Sequence, residues 1–196
     1  MKRLSSLCAV FVAALLFCGA CRRSSDRVSG GEVSVKVRLK PAFFSLKKFF
    51  AGEAARLRHD RYRLNKTVVY ERATEKHIVR VGSWEKELGI FADADINKSA
   101  WIDKYRTTST GGQITYAALD SSLKVKSITI SRGVIKAASP ASGVQAIRIS
   151  LSTRNFLYNM SEQLSYLPDS GYRVQRMQNI KVLGRKTYDI QAAFLK

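Results

Sequence analysis

The chain combines a globular composition with a large excess of positive charge. It has 196 residues, 45% hydrophobic and 25% charged, a balance that excludes an intrinsically disordered chain and suits one domain with a hydrophobic core. The formal net charge of +19 predicts attraction to anionic surfaces such as phospholipid headgroups, lipopolysaccharide or a wall polymer. Nucleic acid is not an expected partner, because no recognised nucleic-acid-binding motif occurs.

Residues 1–20 have the pattern of a bacterial signal peptide. Lys2 and Arg3 precede an apolar run over 7–17, and two small residues, Gly19 and Ala20, follow it. The run is far shorter than the roughly 20 residues that a membrane-spanning helix needs. We therefore expect this segment to be cleaved.

Cys21 is the predicted lipid anchor. Small residues just before a cysteine are typical of a lipoprotein signal, although Cys18 stands where leucine is preferred. An ordinary signal peptidase could cut at the same bond, which would give a plain secreted protein. Because Cys8 and Cys18 fall in the signal, the mature chain keeps one cysteine and forms no internal disulfide. Acylation of Cys21, with palmitate as one chain, accounts for this odd thiol and gives stable anchoring.

Residues 21–32 are rich in Ser, Gly and charge, which predicts a lipidated flexible tether. An alternating apolar pattern then predicts either a strand over 33–40 or an ordered continuation of the tether. The positive charge is concentrated here, since residues 21–66 hold thirteen basic and four acidic residues, a net +9. These residues either lie on a negative membrane surface or form an ordinary solvated surface.

Two helices and a hairpin are predicted next. Apolar residues at three- and four-residue steps indicate an amphipathic helix over 42–59, which either contacts a membrane or packs on a sheet. Residues 62–71 and 76–81 form a predicted hairpin. A short helix over 83–91 follows, with Ser83 as N-cap and Gly89 weakening it.

The second half of the chain predicts antiparallel strands separated by short turns. A tight turn at Gly111-Gly112 is the strongest of these signals. The expected strands are 105–109, 113–119, 123–131, 134–138, 144–153, 163–167, 178–183 and 186–194.

No residue pattern indicates catalysis, a cofactor or a metal site. The run Asp93, Asp95, Asn97 begins like a calcium loop, but lysines replace the required Gly and Glu, so capping by Asp95 and Asn97 is preferred. His59 and His77 lack ligand partners at useful spacing. A hydrolase with a triad assembled in space stays as an alternative. Aromatic residues around Trp84 and Trp101 form either a pocket or a core.

The mature chain resembles small uncharacterised lipoproteins of Bacteroidota-type bacteria over about residues 43–194. The motifs that carry the likeness are Trp84-Glu85-Lys86-Glu87-Leu88, Asp95-Ile96-Asn97-Lys98, Asn155-Phe156-Leu157-Tyr158, Leu167-Pro168-Asp169-Ser170 and Val182-Leu183-Gly184. This resemblance implies a lipoprotein and no particular chemistry. Surface-exposed members tend to have acidic residues after the cysteine, whereas Arg22-Arg23 follow here, which favours the periplasmic face of the outer membrane.

Together these patterns predict an α+β domain over 33–196, with a curved antiparallel β-sheet (a meander) and two helices packed on one face. The favoured function is that of an envelope lipoprotein, anchored through Cys21, that uses a basic surface to bind an anionic envelope partner without catalysis. The alternative is a lipid or lipoprotein carrier with an acyl-binding cavity between sheet and helix.

Overall fold

A single antiparallel sheet dominates the computed structural model, which describes residues 43–133 and 143–196. Its order is β2-β1-β9-β8-β7-β6-β5-β4-β3, so the last seven strands form a meander and the β1–β2 hairpin pairs beside β9. The predicted antiparallel, sheet-dominated fold is confirmed. The strands are β1 Arg63–Tyr70, β2 Ala73–Val79, β3 Tyr105–Thr110, β4 Gln113–Ala118, β5 Val125–Arg132, β6 Val144–Arg154, β7 Tyr158–Leu167, β8 Gly171–Ile180 and β9 Gly184–Leu195.

Several predictions fall outside the described residues. They are the signal peptide over 1–20, the tether with Cys21 over 21–32, and the strands over 33–40 and 134–138. No helix in the described part of the chain is long and apolar enough to cross a membrane.

The long predicted helix is present as α1, Leu46–His59. Ser45 caps its first turn, because its hydroxyl accepts from the Lys48 N–H at 3.2 Å. Its apolar stripe is buried, with Leu46, Phe50, Ala54 and Leu57 at 0–2% exposure. Phe50 packs edge-on against Tyr166 of β7 at 4.9 Å between ring centroids, so α1 covers part of one face of the sheet.

The predicted helix over 83–91 was too long. It is divided into two single turns, α2 Trp84–Glu87 and α3 Gly89–Ala92, with Leu88 between them. Gly89 at the break lowers helix propensity, which accounts for the interruption. A 3-10 turn over Ser99–Trp101 leads into β3.

The two faces of the sheet differ sharply in polarity. Across β6, β7 and β8 the register places Ile149, Leu164 and Val174 side by side, and all three are buried. At the next pair of the β6–β7 register, Ser150 and Gln163 lie on the opposite face, where the Gln163 amide donates to the Ser150 hydroxyl at 3.0 Å. This alternation is the one expected for a sheet that is covered on one face only.

Candidate functional site

Four arginines line a pocket of about 430 Å³ at one end of the sheet. Arg58 comes from the last turn of α1, Arg61 from the α1–β1 turn, and Arg63 from the first position of β1. Arg80 follows β2, on the neighbouring strand of the same hairpin. The remaining walls are Tyr62, Val81, Gly82 and Trp84. We call this site the arginine pocket.

A tight reversal of the chain brings three of these arginines together. The Tyr62 N–H donates to the Leu57 carbonyl at 3.0 Å, and the Arg61 N–H donates to the Arg58 carbonyl at 3.2 Å. This pair of bonds is the Schellman motif, whose left-handed residue is usually glycine. Here that residue is Arg61, with φ of 56°. Glycine would fill this position with less strain than arginine does.

The arginine pocket carries uncompensated positive charge. Arg58 forms an ion pair with Glu85. A hydrogen bond from the Glu85 backbone, one from the Ser83 hydroxyl and this arginine hold the pKa of the Glu85 carboxyl below its usual value. Arg61, Arg63 and Arg80 have no acidic partner among residues 43–133 and 143–196.

Two further cations lie beside the pocket wall. The Lys196 ammonium is 5.6 Å from the centre of the Tyr62 ring, and the Arg56 guanidinium is 5.8 Å from the same ring. Guanidinium groups stay charged at any physiological pH and bind phosphate or carboxylate with two parallel hydrogen bonds. The arrangement is therefore chemically suited to an oxyanion ligand, with Tyr62 and Trp84 supplying an apolar wall.

A buried polar network fixes the end of α1 that carries the pocket. Glu53, only 4% exposed, accepts two hydrogen bonds from Arg56, at 3.0 and 2.8 Å, and one from the Tyr166 hydroxyl at 2.6 Å. Arg56 also donates to the Pro168 carbonyl at 2.6 Å. Burial, followed by the Glu53 charge, raises the pKa of Tyr166. The network therefore joins α1 to β7 and to the loop after it.

A second cavity, of about 260 Å³, lies between the α2–α3 segment and the sheet. Ile90, Val174 and Ile190 give it apolar walls. Its rim is charged, and Glu87 there accepts from the Tyr172 hydroxyl and from Lys66 at 2.7 Å. Burial and the hydrogen bond to Glu87 raise the pKa of Tyr172. We call this space the helix–sheet cavity.

The acidic segment after α3 caps α1. Asp95 accepts from the Ser45 hydroxyl, the Lys47 N–H, and both the backbone and side chain of Asn97, at 2.8–2.9 Å. Burial opposes ionisation of Asp95, but these hydrogen bonds outweigh it and lower the pKa. The predicted capping role is thus confirmed for Asp95, which caps α1, whereas Asn97 donates to Asp95 and caps no helix of the described residues. Within the described residues, no three Asp, Glu, His or Cys side chains are grouped to hold a metal.

The two histidines lie apart on the surface. His59 is the exposed last residue of α1, and His77 is on edge strand β2, 3.5 Å from the Glu75 carboxylate. Neither imidazole contacts a serine hydroxyl in the part of the chain that is described.

The aromatic cluster proves to be mainly core. Phe91 is fully buried and packs against Phe50 and Tyr172 at 5.1 and 5.6 Å, and Tyr105 is buried as well. Trp101 is half-buried, with the Lys98 ammonium 4.0 Å from its ring. Trp84 has both roles, because it is 3% exposed and also lines the arginine pocket.

The sequence predictions missed the arginine pocket as a site. The signal was present in part, because Arg56, Arg58, Arg61 and Arg63 fall within eight residues. Arg80 comes from a separate strand, and only the β1–β2 pairing brings it to the others.

The chain matches no protein-family model, and neither the curated proteins nor the solved structures include a significantly similar one.

Proposed function

We propose that this protein is a non-enzymatic envelope lipoprotein that binds an anionic envelope component in the arginine pocket. The observation that carries the proposal is the set of three arginines, Arg61, Arg63 and Arg80, that converge on one cavity without acidic partners among the described residues. Acylated Cys21 would hold the protein at the periplasmic face of the outer membrane. The candidate partners are anionic lipid, lipopolysaccharide and wall polymer.

The electrostatics favour a ligand with phosphate or carboxylate groups. Removing a guanidinium from water without a counterion costs free energy. These exposed side chains therefore stay hydrated until a ligand supplies the negative charge. Exposed ion pairs contribute about 0–1 kcal/mol each, so the three arginines have to act together to hold a small anion. The long, exposed side chains can also adjust to ligands of different shape.

The test is a titration of the full chain with soluble anionic probes. We would use short-chain phosphatidylglycerol below its micelle concentration, deacylated lipopolysaccharide and a teichoic-acid-type polymer, with short-chain phosphatidylcholine as the neutral comparison. At least one anionic probe should bind, and its affinity should fall steeply with salt because exposed charges are screened. Affinity that is independent of salt would contradict the proposal.

Matched variants separate the pocket from the overall charge. Replacing Arg61, Arg63 and Arg80 by glutamine should weaken binding by at least about tenfold. Replacing Arg106, Arg132 and Arg148, which are exposed and also lack ion-pair partners in the described residues, removes the same charge elsewhere. Equal losses in the two triple variants would show diffuse attraction to a basic protein and would refute a specific site.

The second candidate function is a lipid or lipoprotein carrier, favoured by the helix–sheet cavity. In this proposal α1 to α3 form a cover on one face of a curved sheet, and an acyl chain enters beside Ile90, Val174 and Ile190. The cavity of about 260 Å³ is at the small end for a ligand site, so a lipid would have to widen it. Lys86 at the rim could meet an anionic headgroup.

Native mass spectrometry of the gently purified full chain, with lipid extraction of the same sample, tests the carrier function. A carrier should show a stoichiometric bound lipid that is lost in Ile90→Trp, which fills the cavity. The matched control is Ile78→Trp on edge strand β2, a site that is 65% exposed and outside the cavity. A lipid-free mass, or a lipid retained in Ile90→Trp, would count against it.

A further inference from the structure

Two neighbouring hairpin tips expose large apolar side chains at the end of the sheet opposite the arginine pocket. Phe156 and Leu157 lie between β6 and β7 and are 80% and 62% exposed. Val182 and Leu183 lie between β8 and β9 and are 91% and 67% exposed. We call these four residues the apolar tips.

The backbone holds the apolar tips together as one surface. Strands β7 and β8 pair as far as Tyr158 and Ile180, and the Lys181 N–H then donates to the Leu157 carbonyl at 3.1 Å. The Asn155 side chain accepts from the backbone N–H groups of Leu157 and Tyr158, both at 2.9 Å. The first tip is therefore an ordered turn joined to the second by a hydrogen bond.

This composition is unusual for a hairpin turn in water. Turns normally carry Gly, Asn, Asp, Pro or Ser, each of which meets a backbone requirement of the turn. Contiguous exposed apolar residues mark a surface that contacts a partner or a membrane. The tips make no contribution to the buried core, so a role in packing does not account for them.

The charges around the tips select an anionic lipid surface as the partner. Arg154, Lys181 and Arg185 flank the four residues, and the segments 154–158 and 180–186 contain no acidic residue. The Lys181 ammonium lies 3.7 Å from the centre of the Phe156 ring, so charge and apolar surface occur together. Lys186 is neutralised by Glu71 at 2.9 Å. An apolar tip within a basic collar matches the bilayer interface, where acyl chains lie beneath negative headgroups.

We propose that the apolar tips insert into the interface of an anionic bilayer and form a second membrane contact besides the lipid anchor. This inference is independent of the pocket ligand. Strand β9 runs from Gly184 at the tips to Leu195, which pairs with Arg63 at the pocket. Eleven residues at about 3.4 Å each separate the two ends by about 37 Å, more than three Debye lengths.

Vesicle flotation of the Cys21→Ala protein without residues 1–20, an absence that a mass measurement confirms, tests the inference without acyl chains. Vesicles would contain phosphatidylcholine alone or with about one third phosphatidylglycerol. The chain should bind the anionic vesicles, and the Phe156→Ser, Val182→Ser double variant should bind at least about tenfold more weakly. The control double variant Ile78→Ser, Leu167→Ser removes exposed apolar side chains away from the tips and should bind as the parent does.

Other outcomes would overturn the inference. Equal binding by the tip variant and the parent would show that the basic surface alone binds vesicles. A change from dimer to monomer in the tip variant, with no vesicle binding by the parent, would assign the tips to self-association.

The triple variant Arg61→Gln, Arg63→Gln, Arg80→Gln should keep its vesicle binding within about twofold. The two proposals can also fail separately. If no soluble probe binds but flotation still depends on the tips, the pocket function is rejected and the membrane contact of the tips is retained.

Discussion

Removal of one hydroxyl, by Tyr166→Phe, tests whether the buried network holds α1 on the sheet. The Tyr166 hydroxyl donates to Glu53 over 2.6 Å, and the two residues are 0% and 4% exposed. A hydrogen bond to a charged group contributes about 1.5–3 kcal/mol, and the short, buried geometry places this one in the middle of the range. The Glu53 carboxylate keeps both bonds from Arg56, so no unpaired charge is created. We expect the free energy of unfolding to fall by about 2 kcal/mol.

Urea denaturation of the parent and Tyr166→Phe, followed by far-UV circular dichroism, measures this change. With a slope of about 2 kcal/mol per molar urea, the midpoint should fall by about 1 M. The matched control is Tyr158→Phe, because the Tyr158 phenol has no hydrogen-bond partner among the described residues, and its midpoint should hardly move. A loss below about 0.5 kcal/mol for Tyr166→Phe, or equal losses in both variants, would refute the assigned role of the network.

Three further variants address strain, capping and anchoring. Arg61→Gly relieves the strain of a left-handed backbone conformation, so the free energy of unfolding measured in urea should rise or stay within about 0.5 kcal/mol of the parent. Titration of the same variant should show weaker binding of the anionic probe. Asp95→Asn should cost about 1–2 kcal/mol at pH 7 because it weakens two hydrogen bonds at the start of α1 and two from Asn97. The folded-state pKa of Asp95 is lowered, so its stabilisation is present above the unfolded value of 3.8 and is lost as pH falls through the folded pKa. The difference in melting temperature between parent and Asp95→Asn should therefore shrink in acid, and a constant difference would contradict the role of its charge. Cys21→Ala should abolish labelling by radioactive palmitate and weaken membrane association in cell fractionation, and unchanged labelling would remove the lipid-anchor hypothesis.

Local signals predicted those parts of the fold that depend on neighbouring residues. The apolar stripe of α1 needs only a regular spacing along one helix face. The β3–β4 hairpin needs two left-handed residues in its turn, and Gly111 and Gly112 supply φ values of 57° and 75°. Both elements therefore appear where the sequence placed them, to within a few residues.

The predicted bounds of strand β8 were wrong because an ion pair with the neighbouring strand allows a charged residue at a position where an apolar one is expected. The sequence placed a strand over 178–183, whereas β8 covers Gly171–Ile180 and the following turn contains Val182 and Leu183. Arg176 occupies a position on the covered face that a strand pattern expects to be apolar. It is tolerated there because Glu162, on neighbouring β7, lies 2.6 Å away and is itself buried. A single sequence does not reveal such a pairing before the strands are aligned.

The arginine pocket was hidden for a similar reason. The sequence suggested that the positive charge over residues 21–66 was either a surface facing a negative membrane or an ordinary solvated surface. The reversal at Arg61 and the β1–β2 pairing instead gather four arginines around one cavity. The end of the helix at His59 was predicted, but the αL position at Arg61 lacks its usual glycine, so no turn signal marked the tight reversal that follows.

The most direct test of the central claim is NMR spectroscopy of the arginine Nε–H groups during titration of the full chain with the anionic probe that binds best. If the arginine pocket is the binding site, the resonances of Arg61, Arg63 and Arg80 should shift together and saturate at one ligand concentration. Those of Arg106, Arg132 and Arg148 should stay in place. Uniform shifts across all six arginines, or shifts confined to the second three, would contradict a specific anion site in the pocket.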